Sequence, residues 1–164
     1  MSPAQLLFAD LQQELATTRR ILERVPADKL DFRPHEKSMS LGQLANHLAE
    51  LSGLASAVLT TSELDFGARR YEPQTITSST ERVALFDKLS SQLTELIAGA
   101  DWKALQETWT LRIGDHIILR DQKAKLLRTL GFSHMTHHRA QLGVYLRLVG
   151  VPVPGTYGPS ADEQ

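Results

Sequence analysis

Three of the six histidines in this 164-residue chain lie within five positions, at His134, His137 and His138. They fall inside a pattern that predicts one long helix from about Asp121 to Val149. At 100° per residue, the side chains of His134 and His138 are separated by about 40°, so both rings leave the same face one turn apart. Two imidazoles in that arrangement can share a metal ion, whereas His137 lies about 60° away, at the edge of the face.

The same helical projection predicts that His134 and His138 lie in the middle of the buried face. Residues predicted within about 40° of His134 are Leu127, Leu130, Gln141, Tyr145 and Leu148. Residues predicted on the far side are Lys125, Arg128, Thr136, Arg139 and Arg147. Burying two imidazoles is costly unless each ring nitrogen has a partner, and a metal ion would supply one of those partners.

A third histidine is found on another predicted helix, at about residues 40 to 62, which opens with the capping box of Ser40 and Gln43. Its apolar residues share one side with His47, and they are Leu44, Leu48, Leu51, Leu54, Ala55 and Val58. We therefore predict that His47, His134 and His138 bind one divalent ion and leave one or more positions for water or substrate. The alternative is that all three are ordinary core histidines, hydrogen-bonded to their neighbours.

Two further polar residues are candidates for the site. Glu50 follows His47 by one turn and could accept a hydrogen bond from an imidazole or act as a base, or it could be a solvated carboxylate. Gln141 follows His138 by one turn and could orient a bound water or ligand, or it could join two helices. The remaining histidines are predicted not to be ligands, and they are His35, His116 and His137.

The rest of the chain predicts two more amphipathic helices and one hairpin. The helices are expected over residues 3 to 24, capped by Ser2, and 79 to 99, and the hairpin over residues 107 to 119 with its turn at Gly114 and Asp115. A connection containing Gly67 and Pro73 precedes the helix at 79, and a proline-rich tail follows residue 149. The chain is thus predicted to be one all-α domain over residues 1–164, a four-helix bundle with a short β-hairpin before the last helix.

Composition narrows the classes of function. Eighteen basic residues oppose 19 acidic ones, a balance that is not typical of nucleic-acid-binding proteins. The chain has no cysteine, so histidine and carboxylate are its only strong metal ligands. No apolar run is long enough for a membrane span, and we expect a soluble, cytoplasmic protein without membrane or nucleic-acid partners.

Three stretches of the sequence resemble the DinB-like family. They read Ser-Leu-Gly-Gln-Leu-Ala-Asn-His-Leu at 40–48, His-Met-Thr-His-His-Arg-Ala-Gln-Leu at 134–142, and Gly-Val-Pro-Val-Pro at 150–154 with Tyr157 and Gly158. The resemblance extends over nearly the whole chain and implies an up-and-down-like four-helix bundle. It also implies a metal-binding triad that maps onto His47, His134 and His138. Ala140 departs from the family pattern, which has glycine there, and its methyl group is about 120° away from the ligand face.

The resemblance implies several activities, because the wider superfamily includes thiol-dependent S-transferases and metal-dependent hydrolases. We expect a metal-dependent enzyme that acts on a small-molecule substrate, with a low-molecular-weight thiol as one expected partner and a homodimer as the assembly. The expected ion is zinc or nickel, with iron or manganese as alternatives. A non-catalytic metal-binding or interaction protein is the competing hypothesis, and nucleic-acid binding is disfavoured by the balanced charge.

Overall fold

A computed structural model describes residues 2–68 and 75–163. Its helices, in chain order, are α1 (Pro3–Leu7), α2 (Leu11–Leu22), a 3₁₀ turn (Ala27–Lys29), α3 (Leu41–Thr60), α4 (Ser79–Gly99), α5 (Trp102–Gln106), α6 (Lys123–Leu126), a π-helical segment (Leu127–Ser133) and α7 (His134–Leu148). Its strands are β1 (Glu63–Asp65), β2 (Thr108–Ile113) and β3 (His116–Gln122). Helices α2, α3, α4 and α7 form the predicted four-helix bundle around an apolar core.

Both predicted capping boxes are present at the starts of helices. The Ser2 hydroxyl accepts a hydrogen bond from the backbone of Gln5, and the Ser40 hydroxyl accepts one from the backbone of Gln43. The first helix, however, does not run unbroken to residue 24, because α1 ends at Leu7 and α2 begins at Leu11. The break directs the ring of Phe8 into the core, where it stacks on Phe132 with 4.9 Å between ring centroids.

Helices α3 and α4 run in the same direction. Asn46 near the start of α3 bonds Arg82 near the start of α4, and Ser52 further along α3 bonds Ser90 further along α4. The start of α4 therefore lies at the same end of the bundle as the start of α3. Part of the predicted connection between the two helices, including Pro73, lies outside the described residues.

Helices α3 and α7 face each other, as expected if both carry ligands for one site, and they run in opposite directions. The Tyr145 hydroxyl donates to the carbonyl of Met39 at one end, and the Lys123 ammonium donates to the carbonyl of Leu59 at the other. Helices α2 and α4 are also antiparallel, judged by the order of their side-chain contacts. The bundle therefore runs up, down, down and up, which differs from the up-and-down-like order that the resemblance implied.

The predicted hairpin is present and extends further than the sequence indicated. Strands β2 and β3 are antiparallel around a turn in which Gly114 has a φ of +56°, a value that glycine adopts without strain. Strand β1, which the sequence did not predict, pairs in parallel with β2. Because β3 continues to Gln122, the last helical stretch begins at Lys123 and not at Asp121.

The prediction of one uninterrupted α-helix to Val149 was wrong, because residues Leu127–Ser133 are π-helical. A π turn holds one residue more than an α turn. The side chains before the π-helical segment are therefore rotated by about 100° relative to α7, compared with their positions in a continuous α-helix. Because Leu127 and Leu130 lie in that segment, projecting their direction onto α7 predicted the wrong buried face for this helix. The residues of α7 that are buried are Met135, Arg139, Leu142, Tyr145 and Leu146.

Two corrections follow from this rotation. His134 and His138 are partly exposed at the edge of the buried face and are not in its middle. Leu148, predicted in the core, is 59% exposed, whereas Arg139, predicted on the far side, is only 1% exposed. No helix within residues 2–68 and 75–163 is both long and apolar enough to cross a bilayer.

Candidate metal site

The three predicted ligands lie together between α3 and α7. The Nε2 atom of His134 is 3.4 Å from Nε2 of His47 and 2.8 Å from Nε2 of His138. One ring nitrogen from each residue lies within 4.8 Å of the other two. The structure thus brings into contact residues that are 87 positions apart in the chain, through the antiparallel pairing of α3 with α7.

The other three histidines are outside this cluster. His35 lies in the connection before α3, His116 lies at the start of β3, and both are exposed. His137 is exposed too, although its ring centroid is 4.8 Å from that of His138. His134 and His138 therefore converge with His47, and His137 does not, while their division into metal ligands and a bystander stays a prediction.

Burial keeps the three clustered rings neutral. Loss of solvent, together with the neighbouring His138 and His134, lowers the pKa of His47 to about 4. Loss of solvent is also the main cause that lowers the pKa values of His134 and His138. At pH 7 each ring therefore keeps an unprotonated nitrogen, which is the form in which imidazole binds metals.

Gln141 forms a hydrogen bond with the outer ring nitrogen of His138, which is Nδ1, the nitrogen that does not face the other two histidines. Its Oε1 lies 2.8 Å from Nδ1 of His138, where the imidazole N–H donates and the amide oxygen accepts. A proton on Nδ1 leaves the lone pair on Nε2, the atom that faces the other two histidines. The sequence pointed to Gln141 as a residue that could orient a water or a ligand, whereas in the structure it bonds to a histidine ring.

The outer nitrogen of His134 has a different environment. Nδ1 of His134 is buried and makes no hydrogen bond among the described residues. The carbonyl of Leu130 raises the pKa of His134, as a nearby acceptor does, although the two groups lie outside hydrogen-bond geometry. That carbonyl is at hand because the π-helical turn directs the backbone N–H of His134 to Thr129, five residues back.

The donor set fits a divalent transition metal. Neighbouring nitrogens around a tetrahedral zinc ion with bonds of 2.0–2.1 Å are about 3.3 Å apart. The 3.4 Å between His134 and His47 matches that spacing, whereas the 2.8 Å between His134 and His138 is shorter. Three imidazoles suit zinc, nickel, copper and iron. Among residues 2–68 and 75–163, no fourth histidine, aspartate or glutamate joins the cluster. Glu50, the candidate base, is partly buried one turn after His47 on α3.

A buried polar cluster that the sequence did not reveal anchors α3 beside His47. Asn46 accepts a hydrogen bond from Nε of Arg82 at 2.7 Å, and both residues donate to the carbonyl of Ile76, at 3.2 and 3.0 Å. Burial lowers the pKa of the fully buried Arg82. These contacts fix the start of α4 and the segment before it against the turn of α3 that carries His47.

A second missed cluster lies on the opposite side of α7. The guanidinium of Arg139 is 2.7 Å from the carboxylate of Glu14 and also bonds the hydroxyls of Thr18 and Tyr157. The signal in the sequence is weak, namely an arginine four residues after Met135 and three before Leu142, two apolar positions. Its acidic partner is 125 residues away, so local spacing cannot reveal it.

Comparisons with known proteins agree with this architecture. The sequence pattern that defines the DinB family matches residues 1–164. YrdA of Bacillus subtilis strain 168 is 24% identical over 153 residues, which span 92% of this chain and 85% of YrdA. The crystal structure of YjoA, a DinB-like protein from B. subtilis, superposes with a TM-score of 0.69 at 19% identity, over 92% of this chain and 97% of YjoA.

A further structural relative is YfiT from B. subtilis, described as a probable metal-dependent hydrolase with an unusual four-helix bundle topology. It superposes with a TM-score of 0.63 at 17% identity, over 92% of this chain and 90% of YfiT. At these identities the structural likeness shows a common fold.

Proposed function

The chain belongs to the DinB family, and from that premise we propose that it is a metal-dependent enzyme, in the first place a hydrolase, whose His47, His134 and His138 hold a divalent ion. The observation that carries the proposal is the convergence of three Nε2 atoms from two helices, with no fourth protein ligand among the described residues. When bound, such an ion would acidify a water or a thiol and supply a nucleophile at neutral pH.

The chain's own residues would hold and orient the reacting groups. The three histidines contribute no negative charge, so the full double charge of the ion would act on the nucleophile. Gln141 keeps the lone pair of His138 directed at the site. Glu50, one turn after His47, is our candidate for moving a proton to or from the substrate.

We place the hydrolase first because the structural relative YfiT is described as a probable metal-dependent hydrolase. A thiol-dependent S-transferase would use the same three ligands with a thiolate in place of hydroxide. A non-catalytic metal-binding protein would be expected to close its coordination sphere with a fourth protein ligand. The part of the chain that the structure describes supplies no fourth ligand, and this argues against the non-catalytic alternative. Homodimerisation and a cytoplasmic location remain predictions.

Metal analysis of protein purified without a histidine tag tests the ligand set. We expect about one divalent ion per chain in the wild type and loss of most of it in His47→Ala and His138→Ala, because two imidazoles bind a divalent ion far less tightly than three. His137→Ala and His35→Ala are the matched controls and should keep the ion. Equal occupancy in all five proteins would refute the triad.

Turnover by the metal-loaded protein tests the activity. Esters, amides and other electrophiles would be offered with water alone and with a panel of low-molecular-weight thiols. Hydrolysis that disappears in His47→Ala supports the hydrolase, and turnover that requires an added thiol supports the transferase. Full metal occupancy without turnover of any substrate would favour the non-catalytic alternative.

A further inference from the structure

The two candidate ligands on α7 differ in what holds their outer ring nitrogens. His138 has a formed hydrogen bond from Nδ1 to Gln141, at 2.8 Å. His134 has none, and its Nδ1 is buried. The inner nitrogens of the two rings are nevertheless only 2.8 Å apart. Two ring nitrogens at that distance are stable without a metal only if one donates a proton to the other.

We propose that Gln141 is a positioning residue that fixes His138 in the tautomer with its proton on Nδ1, so that Nε2 offers a lone pair to the site before any metal binds. His134 is then the donor in the metal-free pair, with its proton on Nε2. This inference rests on the proposed metal site and deepens it, because it assigns the two rings unequal parts in metal uptake.

The local geometry supports this role. Gln141 follows His138 by three residues on α7, so the two side chains lie on the same face one turn apart. The side chain of Gln141 is exposed, so water could satisfy its amide group. Its hydrogen bond to His138 is therefore not required to compensate for burial. An amide oxygen aimed at an imidazole N–H is a typical outer partner of metal-binding histidines, and loss of such partners lowers metal affinity about 10- to 100-fold.

The consequence for His134 is a change of tautomer when metal binds. To offer Nε2 to an ion, His134 must lose the proton from that atom and carry one on Nδ1, so the ring stays neutral and the proton count of the ring is unchanged. The carbonyl of Leu130, which does not receive the backbone N–H of His134, is the nearby acceptor for the new N–H once the two groups close to hydrogen-bond geometry. His138 needs no such change.

The test compares Gln141→Leu, which removes the acceptor, with Gln141→Glu, which keeps one. Gln13→Leu is the control, since Gln13 is an exposed glutamine on α2, a helix without a ligand. In metal-free protein, ¹⁵N NMR of the histidine rings should show His138 protonated at Nδ1 in the wild type, in Gln141→Glu and in Gln13→Leu. Gln141→Leu should show a mixture of both tautomers.

Zinc titration gives the second measurement. The affinity for Zn²⁺ should fall about 10- to 100-fold in Gln141→Leu and stay within a few-fold of wild type in Gln141→Glu and Gln13→Leu. An unchanged tautomer and an unchanged affinity in Gln141→Leu would overturn the inference. The NMR measurement needs neither metal nor turnover, so it separates a failure of this inference from a failure of the proposed function.

Discussion

The two sides of α7 hold polar clusters of opposite character. On the side facing α3, the ring nitrogens of His134 and His138 approach one another and His47, and the buried Nδ1 of His134 has no hydrogen-bond partner among the described residues. On the side facing α2, both terminal nitrogens of the Arg139 guanidinium have hydrogen-bond or ion-pair partners. We call the Arg139 cluster complete and the histidine cluster incomplete, because converging neutral imidazoles can still bind a metal ion.

The complete cluster joins three distant parts of the chain. Besides its ion pair with Glu14, Arg139 donates to the Glu14 carbonyl at 3.1 Å and to the Thr18 hydroxyl at 3.2 Å. Tyr157 in the tail donates to the Glu14 carboxylate at 3.0 Å. The cluster therefore fixes α7 against α2 and holds the tail over both helices. The residue before Arg139 is His138, so the cluster also fixes the position of His138 along the bundle axis.

The largest expected effect comes from breaking the complete cluster. Arg139→Met should lower the free energy of unfolding by about 3–5 kcal/mol, because it leaves the Glu14 carboxylate buried without its charged partner. Arg147→Met is the matched control on the same helix. Arg147 pairs with Asp162 at 2.7 Å but is 52% exposed, so its loss should cost at most about 1 kcal/mol. Urea unfolding of metal-free protein measures both values.

The double variant Glu14→Leu with Arg139→Met sharpens this prediction. If the cost of the single variant arises from an uncompensated buried carboxylate, removing both partners should recover part of the lost stability. Similar losses in Arg139→Met and Arg147→Met would show that the buried cluster is no stronger than a surface ion pair.

A smaller effect is expected from pH on the incomplete cluster. Since the folded pKa of His47 is about 4 and the unfolded value is near 6.5, the unfolded chain takes up a proton that the folded chain refuses. The stability of metal-free protein is therefore fully present above pH 6.5 and decreases as the pH falls toward 4. His134 and His138 act in the same direction, because their pKa values are also lowered.

Urea unfolding at pH 7 and pH 4.5 checks the sign. His47→Gln should lose less stability than the wild type between these two values, because it removes the group that titrates only in the unfolded chain. Gln13→Leu, which changes an exposed residue of α2 that does not titrate, should keep the wild-type pH dependence. A wild-type pH dependence in His47→Gln would contradict the low pKa.

The same contrast explains which features the sequence could predict. His47, His134 and His138 lie on helices whose apolar spacing was readable, so the convergence of α3 and α7 could be predicted without coordinates. The phase of α7 could not, because nothing in the residues from 127 to 133 announces a π-helical turn. Arg139 was misplaced for that reason. The pairing of Arg82 with Asn46 depends on the parallel course of α3 and α4, which local spacing does not encode.

The smallest effects are expected from replacing two glycines of the last helical stretch, Gly131 and Gly143, which are packed to different degrees. A Cβ added at Gly131 would lie 3.2 Å from the Cβ of Ala55 on α3, closer than such atoms normally approach. A Cβ added at Gly143 would lie 3.6 Å from Val153 and 3.9 Å from Ile21, which are ordinary contacts. Replacing a helical glycine by alanine otherwise gains about 1 kcal/mol.

Gly143→Ala should therefore stabilise the protein by about 0.5–1 kcal/mol, whereas Gly131→Ala should be neutral or destabilising by about 1 kcal/mol. Thermal unfolding of the metal-free proteins measures the difference. Gly131→Ala should also weaken Zn²⁺ binding, because α3 can relieve the contact only by moving away from the helix that carries His134. Gly143→Ala, which contacts the tail and α2, should leave Zn²⁺ binding unchanged, and equal affinities in both variants would show that the site tolerates a shift between its two helices.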